Sequence, residues 1–182
     1  YQLFTKKPII YNTERIKLGI TIRYIIFSFC FLVLLPFSDG IFHPYLMISI
    51  LSIIWINDSF AFLVGKNFGK RKLFPSVSPN KTVEGFFGGM FFSLLAALVI
   101  SKVYPHFSLF HWMMIALIVS NLGTIGDLVV SKFKRQANLK DSGNLMPGHG
   151  GILDRLDSLL FASPFVYLYI NFIIEYYYGI ID

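Results

Sequence analysis

The sequence predicts an all-α, polytopic integral membrane protein with about five transmembrane helices and two polar cytoplasmic loops. Three observations support this fold class. The mean hydropathy is +0.63, only 14% of the residues are charged, and the basic residues are confined to alternate polar segments. Because soluble domains carry about a quarter charged residues, this composition excludes an ordinary soluble domain.

Five apolar stretches approach or exceed the length of about 20 helical residues that crosses the hydrocarbon core of a bilayer. They cover residues 20–37, 43–64, 85–104, 108–130 and 153–178. Proline and glycine interrupt the polar segments between them, as is typical of loops. We interpret residues 1–182 as one membrane-embedded domain. Because the chain begins at Tyr1 and not at methionine, we expect it to be the C-terminal portion of a longer protein.

The lysines and arginines predict the orientation of these spans. Fifteen of the 16 lie before the first span, around residues 65–84 or around residues 131–152, and Lys102 is the exception. The positive-inside rule places the N-terminus and both loops in the cytoplasm and the C-terminus outside. A simpler interpretation is that the asymmetry only directs insertion.

The chain has a single cysteine, Cys30, which lies in an apolar run. Because a disulfide or a paired-thiol metal site needs two cysteines, the sequence excludes both within this chain.

Acidic residues accompany the basic ones at this membrane face. Six of the ten acids fall in or beside the two loops: Asp58, Glu84, Asp127, Asp141, Asp154 and Asp157. A carboxylate at the end of a membrane helix costs free energy unless it is paired, hydrated or bound to metal. The set therefore predicts a polar cavity. The alternative is a series of interfacial ion pairs, such as Glu84 with Lys81 or Asp127 with Lys132 or Arg135.

The spacing of the acids favours a cation site. On a helix beginning near residue 151, Asp154, Asp157 and Ser158 can share one face. Asp127 ends another predicted span, and Ser131 follows it by one helical turn. Carboxylate and hydroxyl oxygens from two helices are ligands that Mg²⁺ accepts, with water and substrate phosphates completing its shell.

The intervening loop adds groups that would bind phosphate. Its cations are Lys132, Lys134, Arg135 and Lys140. The "GHGG" segment leads into a helix N-terminus, which attracts anions. His149 within it could serve as an acid or base, as a hydrogen-bond donor to phosphate, or as a structural contact. The sequence contains no pattern for nucleophilic catalysis and no Walker A motif, so it predicts a site for metal and polyphosphate at a membrane surface.

The segment "SKFKRQANLKDSGNLMPGHGGILDRLD", residues 131–157, resembles the signature of the phosphatidate cytidylyltransferases, or CDP-diacylglycerol synthases. It matches the form S-x-x-K-R-x4-K-D-x-G-x3-P-G-H-G-G-x-x-D-R-x-D at every fixed position. Residues 57–85 and 126–135 resemble the same family, and the resemblance extends over residues 55–163. Members usually have additional transmembrane helices before this part, whereas about one predicted span precedes it here.

The resemblance implies that CTP and phosphatidate give CDP-diacylglycerol and pyrophosphate in the presence of Mg²⁺, with K⁺ as a neighbouring ion. It makes Asp127 and Asp154 the metal ligands. It assigns catalytic roles to these two and to Lys140, Asp141, Arg155 and Asp157. It assigns substrate binding to Asp58, Ser59, Lys66, Lys81, Thr82, Glu84, Ser131, Lys134, Arg135 and His149. The expected partners are CTP, phosphatidate and membrane lipids, with no nucleic acid, and a homodimer is one oligomeric state to test.

Other functions fit parts of the pattern. A CTP-dependent enzyme acting on a polyprenol or an ether-lipid phosphate would use the same metal and nucleotide contacts, and only the full signature favours phosphatidate. An ion-coupled transporter would place its acids near the midplane of internally repeated helices, and the chain contains no internal repeat. An inactive scaffold would show a replaced acid or lysine in the signature, and none is replaced.

Overall fold

The computed structural model describes residues 15, 18, 19, 22–37, 41–139, 142, 143, 151 and 153–174, with the backbone alone at 155 and 172–174. We number its helices in chain order. They are α1 (Ile22–Leu34), α2 (Pro44–Phe68), α3 (Val83–Val103), α4 (Leu109–Gln136) and α5 (Leu153–Leu168). α1 opens with a π-helical turn over Ile22–Ile26, and α5 continues into another over Tyr169–Ile174.

Among the described residues, three helices are long and apolar enough to cross a membrane: α2, α3 and α4. Each overlaps one predicted span over most of its length. The prediction of a mostly helical membrane protein is therefore confirmed. The five-span count stays a prediction. α1 is shorter than the about 20 residues that span a bilayer, and α5 has Asp154 in its first turn and Pro164 in its interior.

The helices form a bundle in which α2 packs against α3 and α4, and α5 packs against α4 and α1. Its apolar core includes Leu46 and Ile53 of α2, Trp112 and Ile115 of α4, and Val166 of α5, all fully buried. These residues lie in the first halves of α2 and α4 and the second half of α5. The C-terminal ends of α2 and α4 and the N-terminal ends of α3 and α5 therefore meet at the opposite, more polar end.

Close approach of α2 and α3 depends on small residues. A Cβ atom at Gly89 of α3 would lie 2.7 Å from the backbone oxygen of Asn57 and 2.9 Å from its side-chain oxygen. Helices in a bilayer associate through such tight van der Waals contacts, because lipid supplies no hydrophobic driving force between them. Gly89 thus allows the polar Asn57 side chain to be buried between two spans.

The loop predicted over residues 65–84 contains regular structure, which corrects the all-α prediction. β1 (Lys72–Phe74) pairs antiparallel with β2 (Ser78–Thr82), and Lys72 lies opposite Thr82. The chain turns where the backbone N–H of Val77 donates to the carbonyl of Phe74 at 3.2 Å. Strand pairing satisfies backbone groups that a polar loop would leave to water. The proline and glycine residues of this segment predicted a turn, and the two short strands beside it were not predicted.

The second predicted loop begins later than residue 131, because α4 continues to Gln136. Ser131, Lys134 and Arg135 therefore lie on a helix. Basic residues near a helix C-terminus are stabilised by the helix dipole, so the polarity that suggested a loop is compatible with two further helical turns. Asn138, with a φ of 55°, ends the helix in the left-handed conformation that asparagine adopts readily.

Candidate active site

A cavity of about 630 Å³ opens at the polar end of the bundle, between α2, the hairpin, α3, α4 and α5. Eight of the predicted site residues line it: Asp58, Lys66, Lys81, Thr82, Asp127, Lys134, Asp154 and Asp157. They come from three helices and one strand, and are up to 99 positions apart in the chain. The fold therefore collects charged groups of both signs around one space.

The hairpin is joined to α4 across this cavity. Lys81 of β2 forms an ion pair with Asp127 of α4. The hydroxyl of Ser131, one turn further along α4, donates to the other oxygen of Asp127 at 3.1 Å. Ser131 thus orients the Asp127 carboxylate toward Lys81. Lys81, which was predicted to bind substrate, and Asp127, which was predicted to bind metal, are therefore in direct contact.

Asp154 accepts four hydrogen bonds at the start of α5. Lys134 donates to Oδ1 at 2.6 Å, and Oδ2 accepts from the Ser142 backbone N–H, the Ser142 hydroxyl and the Gly151 backbone N–H at 2.7, 2.9 and 3.1 Å. The backbone N–H of Asp154 in turn donates to the Gly151 carbonyl. The Asp154 side chain thus makes one half of a capping box, and the Gly151 carbonyl replaces the side chain that would make the other half. Asp154 therefore fixes the loop-to-helix junction while presenting charge to the cavity.

Two further carboxylates lie near Asp127. Asp157 is buried, with 7% of its surface exposed, and accepts from the Ser158 backbone N–H at 2.7 Å. Asp58 and Asp157 each lie within electrostatic range of Asp127 and of Lys81. The neighbourhood of Asp127 thus includes Asp58 and Asp157, whereas Asp154 accepts hydrogen bonds from Lys134 and from the loop. Repulsion between neighbouring carboxylates favours a cation nearby, and Lys81 supplies one.

A polar chain inside the bundle supports Asp58. The Asn57 amide nitrogen donates to the Asp58 carboxylate at 3.2 Å, which leaves the amide oxygen facing α3. The hydroxyl of Ser93 lies 3.4 Å from that oxygen and 2.9 Å from the Gly89 carbonyl. Asn57 and Ser93 are both buried. Their contacts hold the Asp58 carboxylate in place through Asn57.

Thr82 and Glu84 have structural partners. The Thr82 hydroxyl accepts from the Gly85 backbone N–H at 3.1 Å and so caps α3. The Glu84 carboxylate accepts from the backbone N–H groups of Lys70 and Arg71 at 3.0 and 3.2 Å, which fixes the chain entering the hairpin. Thr82 lines the cavity, whereas Glu84 does not. In this structure Glu84 holds the scaffold, and its predicted substrate-binding role stays a prediction.

The remaining predicted residues lie elsewhere. Ser59 and Arg135 are exposed and outside the cavity lining, and Arg135 donates to the Leu139 carbonyl at the end of α4. Ser131 acts through Asp127. Lys140, Asp141, His149 and the side chain of Arg155 lie outside the described residues. Their predicted roles stay predictions.

The cavity also contains polar residues that sequence reasoning did not assign to the site: Asn57, Lys72, Asn80 and Thr124. Ser158, predicted to share a face with Asp154, also lines it. Asn57 and Asn80 adjoin Asp58 and Lys81, so position beside an assigned residue was an available signal. Within the part of the chain that the structure describes, no group of three or more His, Cys, Asp or Glu side chains could hold a metal ion.

The sequence model of the cytidylyltransferase family matches residues 3–173. The chain belongs to the cytidylyltransferase family. The family resemblance predicted from residues 131–157 is thereby confirmed, and the match extends over all five helices described above.

Curated relatives resemble the chain over more than half of its length. It is similar to the phosphatidate cytidylyltransferase of Bacillus subtilis (strain 168), with 52% identity over 119 residues that cover 63% of this chain and 43% of that protein. A phosphatidate cytidylyltransferase of Staphylococcus epidermidis RP62A is 45% identical over 128 residues, 70% of this chain and 48% of that protein. One from Staphylococcus aureus COL is 50% identical over 114 residues, 62% and 44% of the two chains. The chain spans about half the length of the curated relatives it matches.

Proposed function

We propose that this member of the cytidylyltransferase family transfers a cytidylyl group from CTP to phosphatidate, giving CDP-diacylglycerol and pyrophosphate. The observation that carries the proposal is the cavity in which Lys81 faces Asp127 and Lys134 faces Asp154. Phosphate groups entering the cavity would meet a lysine from the hairpin and a lysine from α4. The names of the relatives support phosphatidate as the acceptor.

The chemistry needs no nucleophile from the protein. A phosphate monoester loses its second proton with a pKa of about 6 and is mostly a dianion at neutral pH. One of its oxygens attacks the α-phosphorus of CTP, a new P–O bond forms, and the bond between the α-phosphorus and the bridging oxygen breaks. Pyrophosphate leaves with that electron pair. Lys81 and Lys134 would hold the phosphates in line and balance the charge that develops on them.

Mg²⁺ suits the donor set of this site. It is usually held by one or two carboxylates together with substrate phosphates and water, and Asp127 offers a carboxylate with Asp157 and Asp58 nearby. Asp127 and Asp154 are the proposed ligands, and a K⁺ neighbour is part of the same proposal. Bound Mg²⁺ would neutralise the triphosphate and stabilise the departing pyrophosphate.

The placement in the membrane completes the proposal. Five spans put the hairpin and the α4–α5 connection on the cytoplasmic side, as favoured by the positive-inside rule. CTP would enter from there. Phe62, Leu73 and Phe86 contribute apolar walls to the cavity, which suit the diacylglycerol part of a lipid. The proposal includes a homodimer, which light scattering of the detergent-solubilised protein tests.

Pyrophosphate release by the purified full-length protein tests this function. With CTP, phosphatidate and Mg²⁺, we expect one pyrophosphate per CDP-diacylglycerol formed, and no reaction after chelation of the metal. Product only with a polyprenol or an ether-lipid phosphate would replace the acceptor and keep the reaction type. Absence of any lipid product, with uptake driven by an ion gradient in vesicles, would favour a transporter and refute the proposal.

A further inference from the structure

Tyr24 contacts the site from outside the part of the chain that carries the family signature. It lies in the π-helical turn that opens α1, whereas the resemblance covers residues 55–163. Its hydroxyl donates to the carbonyl of Gly126 at 3.4 Å, across 102 positions of sequence. π-Helical turns occur frequently at functional sites. The contact therefore joins α1 to Gly126, the residue that precedes Asp127.

The Tyr24 ring is held between α4 and α5. Its centroid lies 6.4 Å from that of Phe133 in an edge-on arrangement and 6.1 Å from that of Phe161. Tyr24 is within electrostatic range of both Asp127 and Asp157. Tyr24 does not line the cavity. It would therefore influence the carboxylates through the α4 backbone and would not contact the substrate.

α4 and α5 approach each other closely at Gly126. A Cβ atom there would lie 2.6 Å from the backbone oxygen of Asp157 and 2.5 Å from the Cβ atom of Phe161. Asp127 follows this glycine directly, and Asp157 belongs to the facing backbone. A small shift of α4 at Gly126 would therefore change the separation of the two carboxylates.

We propose that Tyr24 is a positioning residue that holds Asp127 against Asp157 through the Gly126 carbonyl. The proposal rests on the cytidylyl transfer proposed above, and it extends the functional unit to α1. The hydroxyl anchors the carbonyl on one side while the Phe133 and Phe161 rings fix the phenol on the other. Removing the hydroxyl leaves the ring contacts and releases the anchor.

Tyr24→Phe makes this change with little effect on packing. In the purified full-length enzyme we expect kcat to fall about fivefold, the effect of one hydrogen bond. KM for CTP should be unchanged, because no substrate-binding group is altered, and the thermal midpoint should move by less than about 3 °C. Tyr167→Phe is the matched control. Tyr167 also lies at the α1–α5 interface, with its ring 5.0 Å from that of Phe31, and this variant should keep the wild-type kcat.

Three outcomes would overturn the proposal: an unchanged kcat in Tyr24→Phe, an equal fall in kcat in Tyr167→Phe, or a loss of activity that only follows a lower thermal midpoint. An active wild type with an unchanged Tyr24→Phe variant would reject the positioning role alone. A wild type that makes no lipid product would reject the proposed function, and the positioning role with it.

Discussion

Replacing Lys81 by methionine keeps most of the length of the side chain and removes its charge from the cavity. The change has two separable effects, one on folding and one on catalysis. Asp127 loses its ion-pair partner, and the cavity loses one of the four lysines that line it. Because Lys81 lies on the hairpin and not on a spanning helix, insertion of the chain into the membrane should not change.

The magnitudes of the two effects differ. The Lys81 and Asp127 side chains are each 29% exposed, so water screens the pair and its loss should cost about 1 kcal/mol of unfolding free energy. That corresponds to a fall of about 2–4 °C in the thermal midpoint. A cation aimed at charge that develops in the transition state contributes about 3 kcal/mol. The expected loss in kcat/KM is therefore about 100-fold.

Initial rates and thermal unfolding, measured on the same preparations, distinguish these effects. Lys102→Met is the matched control, since Lys102 is exposed at the far end of α3, and it should behave as wild type. Lys81→Arg retains the charge and should recover part of the activity. Two results would contradict a role of the Lys81 charge in the transition state. Lys81→Met could keep more than half of the wild-type kcat/KM, or its activity could fall only in proportion to unfolded protein.

Three further predictions follow from the fold. Gly89→Val should lower the unfolding free energy by about 1–3 kcal/mol, since its Cβ would press against Asn57 of α2, and a thermal midpoint equal to wild type would contradict this packing. Ser93→Ala should cost about 1–2 kcal/mol, because the buried Asn57 oxygen loses its donor, and chemical denaturation measures it. In a variant without Cys30, an impermeant thiol reagent should label cysteine at Ser108 in intact cells but cysteine at Ser76 only after permeabilisation. The reverse pattern would invert the proposed topology.

The spans of α2, α3 and α4 could be predicted because each is a long apolar run bounded by polar residues or proline. The β hairpin could not, since its strands have three and five residues and contain lysine, serine and proline. Their pairing depends on where α2 ends and α3 begins. The helical extension to Gln136 was missed for a related reason: polarity was interpreted as a loop, although basic residues stabilise a helix C-terminus.

The candidate site was predictable in its members more than in its contacts. The acids and lysines that line the cavity are out of place in an apolar chain, and this identified most of them. Both partners of Glu84 and two of the four donors to Asp154 are backbone N–H groups, which side-chain identity does not reveal. Tyr24 carries no signal at all among the chain's 10 tyrosines, because its role comes from tertiary packing of α1 against α4 and α5.

The position of a label in CTP tests the central claim most directly, namely that the cavity is a site of cytidylyl transfer. We expect label on the α-phosphate to appear in an organic-soluble lipid and label on the γ-phosphate to appear in pyrophosphate. Asp127→Asn should abolish both signals. Transfer of the γ-phosphate label to the lipid would show a kinase and contradict the account, as would label transfer that persists in Asp127→Asn.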